Sequence, residues 1–296
     1  MTIADALDVQ QRSVSSRDAE VFLAHVLQSD RVHLHTHPEL VLTSEQAEHF
    51  ETFMARREQN EPVAYIIGEK EFYGRMFTVD KRGLIPRPET EGVVEQAVAW
   101  CETFFRTHLA ATNKPCPVRI LELGTGGGPI AVSLALELAA KNVPATLIAT
   151  DIAQEALELA EENWDKMKGE SSSLIKMSFI TADLFDHPLI REHPFDLIVC
   201  NLPYVETTWQ VETGAQPDVI FFEPDIALFG GEDGLDIYRN FFKRAPSNLV
   251  DDGAVILEYG ETQTAVITPL AVAAFPNKTL EVHKDYAQLD RVIILK

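Results

Sequence analysis

From Val118 onward, short apolar runs alternate with longer stretches in which apolar positions recur at helical spacing, and this alternation constrains the fold more than any other feature. The runs Val118–Leu123, Thr146–Thr150, Met177–Thr181, Phe195–Cys200 and Ala254–Leu257 read as strands, with helices near 129–139, 154–165, 235–243 and 263–274. Such runs offer no polar face to water, so the strands belong in a parallel sheet with helices on both faces. The tail breaks the rhythm: Leu280–Lys284 and Arg291–Leu295 are separated by a short turn, which suits an antiparallel pair. The expected class is α/β, a doubly covered sheet preceded by a smaller part.

That smaller part has no strand signal. Between Ser16 and about Gly68 the apolar residues Val21, Leu23, Ala24, Leu27, Phe50, Phe53 and Met54 keep helical spacing, and Thr43 with Gln46 has the spacing of a capping box. A bundle of short helices, residues 1–68, is expected, without a nucleophile or metal cluster and therefore suited to docking. His33, His35 and His37 would share a face on a strand, but without a Cys or carboxylate at useful spacing they read as a surface loop. Residues 69–88 turn aromatic and β-prone around Gly74, which predicts a hairpin linker. Pro86 and Pro88 bracket Arg87 and disfavour helix until Glu89, where a helix through roughly Phe105 begins the main domain, 89–296.

Charge excludes one class of partner. With 25 Lys and Arg against 46 Asp and Glu the net charge is −21, which repels a polyanion, so direct nucleic-acid binding is not expected. The start of the chain has no basic region followed by an apolar run, and no apolar stretch is long enough to cross a membrane. Cys101, Cys116 and Cys200 are too far apart in sequence for a disulfide framework or a metal clamp, as expected of a cytoplasmic protein.

The chemistry gathers where strands end. Glu122-Leu123-Gly124-Thr125-Gly126-Gly127-Gly128 closes the first buried strand just before a helix, a place for either a tight turn or a cofactor. The dinucleotide fingerprint is incomplete, because Pro129 follows Gly128, and Glu122 is a poor neighbour for pyrophosphate but a good one for an ammonium group. Asp151, followed by Ile152, ends the second strand, where it can accept from ribose hydroxyls or merely cap a helix. Asp183 after the third strand can accept from an adenine amino group, with Leu184 or Phe185 against the base. Together the carboxylates match S-adenosylmethionine better than NAD. The fourth strand runs into Asn201-Leu202-Pro203-Tyr204, which resembles the Asn/Asp-Pro-Pro-Tyr signature of enzymes that methylate planar nitrogens. The lone pair of such a nitrogen is delocalised, so acceptors must hold both N–H bonds and direct the lone pair at the methyl. Asn201 and the carbonyl of Leu202 are the expected acceptors. Pro203 keeps residue 202 extended, and Tyr204 can stack on the planar group.

Beyond these residues, nearly the whole chain resembles the HemK/PrmC family, the release-factor glutamine N5-methyltransferases. The likeness includes Asp18-Ala19-Glu20, His37-Pro38-Glu39, Glu61–Gly68 and Glu71-Phe72-Tyr73-Gly74, and above all Leu84-Ile85-Pro86-Arg87-Pro88-Glu89-Thr90-Glu91. Later matches are Glu223-Pro224, the run Gly230–Gly234, Leu257-Glu258 with Gly260 and Gln263, and Asp285-Tyr286. Leu202, Glu122 and Pro129 depart from the family's usual Pro, Asp and Ala without removing a functional group. The resemblance implies a class I S-adenosylmethionine-dependent methyltransferase fold, Rossmann-like, with seven strands, the last antiparallel, and an N-terminal helical domain that grips substrate. It implies methyl transfer from S-adenosylmethionine to the side-chain nitrogen of the Gly-Gly-Gln glutamine in class 1 peptide chain release factors. A monomer is expected. Cofactor contacts are expected from Glu122, Gly124, Thr125, Gly126, Gly128, Asp151, Ile152, Asp183, Leu184 and Asn201. Substrate contacts are expected from Phe72, Arg87, Glu89, Asn201 and Tyr204. The competing readings are glutamine methylation of a ribosomal protein, adenine-N6 methylation of nucleic acid, and a binding protein on a decayed enzyme fold.

Overall fold

The computed structural model describes residues 1–9, 12–208 and 222–296. Met1–Glu69 forms one compact unit; the second takes in the chain from Lys70 and resumes at Glu223–Lys296. The first contains α1 (Ile3–Leu7), α2 (Ser16–Val26), α3 (Arg31–Thr36), α4 (Ser44–Glu58) and α5 (Val63–Ile67). The side chains of Thr2, Ser15, Asp30 and Thr43 each accept from the backbone N–H three residues on, and Thr43 with Gln46 closes a capping box as the spacing predicts. Helices this short are marginal alone, and they are held by a shared core of Phe22, Leu23, Leu34, Phe50, Met54 and Ile66. The histidines correct one expectation: His33 and His35 lie on α3, because Asp30 caps it, rather than in a loop. The rings of His33 and His37 stack at 4.5 Å, and no metal-holding cluster occurs among the described residues.

A hairpin follows, β1 (Glu69–Phe72) and β2 (Arg75–Thr78). Tyr73 and Gly74 both have positive φ, 51° and 71°, the two-residue turn whose twist matches its flanking strands. A 3-10 turn, Pro88–Thr90, leads into α6 (Glu91–Thr112), which outlasts the expected end near Phe105. The extra turns are supported by Trp100, Phe104 and His108 stacked at four-residue spacing, with centroids 4.6 and 4.2 Å apart, and by a Glu102–Arg106 ion pair.

Beyond α6 come β3 (Val118–Leu123), α7 (Pro129–Ala140), β4 (Ala145–Asp151), α8 (Gln154–Met167), β5 (Ile175–Thr181), α9 (Pro188–Arg191) and β6 (Phe195–Cys200). After them follow α10 (Asp225–Leu228), α11 (Asp236–Arg244), β7 (Leu249–Glu258), α12 (Thr264–Ala274), β8 (Leu280–Lys284) and β9 (Asp290–Leu295). Seven strands form one sheet of order β5-β4-β3-β6-β7-β9-β8, in which β9 runs antiparallel to both neighbours. The strand β7 starts five residues before the expected Ala254, since Asp251-Asp252-Gly253 interrupts its apolar pattern where its register with β6 shifts. Apolar side chains of β3, β6 and β7 meet Tyr238 and Phe241 of α11 in the core beneath the strand ends.

Sheet order fixes where a ligand can go. The chain proceeds from β3 to β4 and β5 on one side, then resumes at β6 on the other side of β3, leaving a crevice above the carboxyl ends at this reversal. Register levels these ends: Leu123 pairs with both Thr150 and Cys200, and Asp151 pairs with Thr181.

Candidate active site

Because the strand ends are level, Gly124, Asp151 and Asn201 emerge side by side around a cavity of about 530 Å³. That volume is in the range that holds small molecules, roughly 300–1,000 Å³. Gly124, Gly126, Asp151, Ile152, Asp183 and Leu184 line it, together with Asn201, Leu202 and Pro203.

The glycine loop reaches this shape through positive φ at Gly124 (72°) and Gly126 (53°). A Cβ on Gly124 would lie 3.2 Å from Leu202 Cδ2, so the loop and the end of β6 pack directly together. The Gly126 N–H donates to Asp151 Oδ2 at 2.8 Å, and the Ala153 N–H donates to Oδ1 at 2.9 Å. Each carboxylate oxygen keeps a further lone pair for a ligand hydroxyl. Burial pushes the Asp151 pKa up, while these backbone donors pull it back. Leu184 holds a positive φ of 49° without being glycine, a strained backbone on the cavity wall.

At the end of β6 the side chain of Asn201 is anchored: Nδ2 donates to Thr90 Oγ1 at 3.1 Å, and Oδ1 has no hydrogen-bond partner among the described residues. The Leu202 N–H donates to the Tyr238 hydroxyl at 3.2 Å, and that hydroxyl donates to the Glu258 carbonyl. Tyr204 donates its hydroxyl to Glu258 Oε1 at 3.0 Å. Its backbone carbonyl accepts from Gln263 Nε2 at 2.9 Å. The glycine run beyond is pressed backbone to backbone on this segment: a Cβ on Gly234 would sit 2.1 Å from the Tyr204 carbonyl oxygen, and one on Gly230 2.5 Å from that of Pro203.

Several expected contact residues stand off the wall. Glu122 is 1% exposed beneath the loop, its Oε2 accepting from Thr125 Oγ1 at 2.9 Å while Oε1 has no partner, and burial pushes its pKa up to about 8. Thr125 is buried with it, and Gly128 faces α8, where a Cβ would meet that of Ala160 at 3.0 Å. These residues shape the loop from behind. Phe72 corrects its expected substrate role outright, since it is 1% exposed and packs edge-on to Phe77 at 5.9 Å. The Arg87 guanidinium is engaged by buried Glu223 at 2.6 Å; the Ile85 N–H donates to the other Glu223 oxygen at 3.1 Å. Glu89 is exposed on the 3-10 turn, and Tyr204, half-buried, spends its hydroxyl on Glu258 rather than on the cavity. Of the two residues expected against a base, Leu184 lines the cavity, whereas Phe185 is buried against Phe241 at 5.8 Å.

The sequence reading also missed wall residues. Lys81–Leu84 contribute from the loop after the hairpin, and Asp236, Ile237 and Asn240 from one face of α11. Their spacing on that helix was a readable signal. The loop had only Gly83, whose Cβ would press on the Gly127 nitrogen at 3.0 Å.

The PrmC N-terminal domain matches residues 3–68, and a methyltransferase domain matches residues 120–215. A release factor glutamine methyltransferase from Thermodesulfovibrio yellowstonii is 36% identical over 97% of this chain and 95% of its own length. The chain belongs to the release factor glutamine methyltransferase family. A second relative of the same name, from Bacillus anthracis, is 33% identical over 96% of this chain and 94% of its own. Among solved structures, the hMettl16 catalytic domain in complex with MAT2A 3'UTR hairpin 6 superposes with a TM-score of 0.52 at 13% identity, covering 87% of this chain and 84% of that one. At that identity the likeness concerns the fold alone, that of the class I S-adenosyl-L-methionine-dependent methyltransferases. The family's cofactor is S-adenosyl-L-methionine, and the wall residues suit it. Asp151 offers ribose acceptors, and Ile152 and Ile226, 51% and 56% exposed, leave apolar surface open for a planar base. No helix among the described residues is long and apolar enough to cross a membrane.

Proposed function

We propose that this protein transfers a methyl group from S-adenosyl-L-methionine to the N5 side-chain nitrogen of the glutamine in the Gly-Gly-Gln motif of class 1 peptide chain release factors. The observation that carries the reading is the anchored Asn201 beside the Leu202 peptide at the sheet reversal, on the same cavity as Asp151 and Asp183. Asp151 would hold the ribose, Asp183 and Leu184 the adenine, and the glycine loop the aminoacyl end. When bound there, S-adenosyl-L-methionine supplies an electrophilic sulfonium methyl.

The chain's own task is to prepare the nitrogen. Asn201 Oδ1 and the Leu202 carbonyl each accept one amide N–H, which fixes the plane of the glutamine amide and turns its lone pair to the methyl. The nitrogen held in this way would take the methyl, leaving the donor as its neutral thioether, and would then shed one proton. Such a nitrogen is acidic enough to lose it to water, and no histidine is among the described residues that line the cavity. The helical unit, Met1–Glu69, has no metal-holding cluster among its described residues and is proposed to grip the protein substrate.

Asn201→Ala tests the reading. It should leave cofactor affinity nearly intact and lower single-turnover methyl transfer by roughly 10²–10³-fold, the usual loss for one positioned transition-state hydrogen bond. Near-full turnover by the variant would return the tetrapeptide to a structural turn. A Gln-to-Asn change in the release-factor loop should abolish transfer, because the shorter side chain cannot bring its nitrogen in line with sulfur and methyl.

A further inference from the structure

The two acceptors proposed for the target amide, the Asn201 side chain and the Leu202 carbonyl, hang from one peptide unit. Each extends from the Cα at one end of it, so a rotation of that planar unit displaces both together. What fixes this peptide therefore fixes the pair. The sheet does not do so: β6 ends at Cys200, whose partner on β7 is Leu257, and the Asn201–Leu202 peptide lies beyond these last paired residues.

A side chain takes over there. The Leu202 N–H donates to the Tyr238 hydroxyl at 3.2 Å, and that hydroxyl donates to the Glu258 carbonyl. Both partners are main chain. An N–H can only donate and a carbonyl can only accept, so the hydroxyl has one arrangement open to it, with its hydrogen on Glu258 and a lone pair toward Leu202. The phenol oxygen thus bridges the extension of β6 to the end of β7. Tyr238 is itself held firmly, 0% exposed on α11 with the rings of Phe241 and Phe242 at centroid distances of 6.5 and 6.4 Å. The carbonyl of the same peptide, that of Asn201, packs by Gly124, where a Cβ would lie 3.7 Å from its oxygen. Beyond Pro203, which has no N–H to offer, the stretch is tied again where the Tyr204 carbonyl accepts from Gln263 Nε2 at 2.9 Å.

We infer that Tyr238 is a positioning residue for methyl transfer, its hydroxyl setting the plane of the peptide from which both acceptors extend. Asp236, Ile237 and Asn240 of the same helix line the cavity, so α11 meets the cavity with its outer residues and the acceptor peptide with its buried tyrosine.

The inference rests on the roles proposed for Asn201 and Leu202, and the test separates the two. Tyr238→Phe keeps the ring and removes only the hydroxyl. It should lower the single-turnover methylation rate at saturating substrates by about 10–30-fold, with calorimetric S-adenosyl-L-methionine affinity and the release-factor KM each within about threefold of wild type. Leu202→Pro removes the N–H that the hydroxyl holds and keeps the main-chain carbonyl; proline stands at that place in the signature that the tetrapeptide resembles. Whatever rate that variant has, adding Tyr238→Phe to it should cost less than about threefold, because no N–H remains to be held. An equal loss in both backgrounds assigns the hydroxyl to Glu258 alone and overturns the inference, as does a Tyr238→Phe rate within about twofold of wild type. Should either variant fail to fold, or Leu202→Pro be too slow to measure, hydrogen exchange at the Leu202 amide of the unaltered protein decides. Protection of about 100-fold or more upholds the inference, and exchange at the free-peptide rate overturns it. Near-full turnover in Asn201→Ala overturns the underlying reading instead.

Discussion

At the scale of single residues, carboxylates at the sheet's edge divide the work by their surroundings. Asp151 has backbone donors on both oxygens and still faces the cavity, so Asp151→Ala should weaken S-adenosyl-L-methionine binding by about 1.5–3 kcal/mol; unchanged calorimetric affinity would remove it from the site. Glu122 lies behind the loop, and burial raises its pKa from an ordinary 4.5 to about 8. The folded state thus holds a proton that the unfolded state has released over that window, and stability falls as pH rises from about 4.5 to about 8. Glu122→Gln keeps an acceptor for Thr125 without titrating, so in thermal melts its Tm should gain on wild type steadily between pH 5 and 8; parallel curves would contradict this. Asp151 and Asn201 were legible in the sequence because each directly follows a buried apolar run, which places it at a strand's carboxyl edge. Thr90 was not legible as the partner of Asn201, nor Glu258 as that of Tyr204, since these meetings depend on the packing of α6 and β7 beside β6, not on spacing along the chain.

At the scale of elements, the run Gly230–Gly234 acts as a backbone wedge against Asn201-Leu202-Pro203-Tyr204. Gly234 combines a φ of 74° with a Cβ position 2.1 Å from the Tyr204 carbonyl oxygen, and neither can be relieved by rotating a side chain. Gly234→Ala should therefore destabilise by more than about 3 kcal/mol and disorder the acceptor peptide; a Tm within a few degrees of wild type would show that the wedge yields. The strand and helix pattern was read well wherever apolar spacing was uninterrupted, as in β3, β6 and α7. It failed where the deciding contacts were polar or local: the aspartates at the start of β7, the aromatic stack extending α6, and the capped histidine helix α3. The hairpin turn was legible because Gly74 marked it, whereas Phe72, on its first strand, was taken for a contact residue when its aromatic neighbour Phe77 had already claimed it for the core.

At the scale of the whole molecule, the cavity's wall residues all belong to the second unit, while the first has its own core and caps. Deleting residues 1–60 should leave cofactor affinity within about threefold and depress methylation of intact release factor; equal methylation by the truncated enzyme would refute the gripping role proposed for the helices. The net charge of −21 argues against a nucleic-acid substrate, a long-range effect independent of the site. Substrate choice is therefore the central claim, and one competition measures it. Purified release factor, ribosomal protein and DNA are offered together to the protein with methyl-labelled S-adenosyl-L-methionine, and the label is located by fragment mass. The account predicts one methyl on the glutamine of the release factor's Gly-Gly-Gln motif and none elsewhere; label on the ribosomal protein or the DNA, with the release factor unmodified, would contradict it.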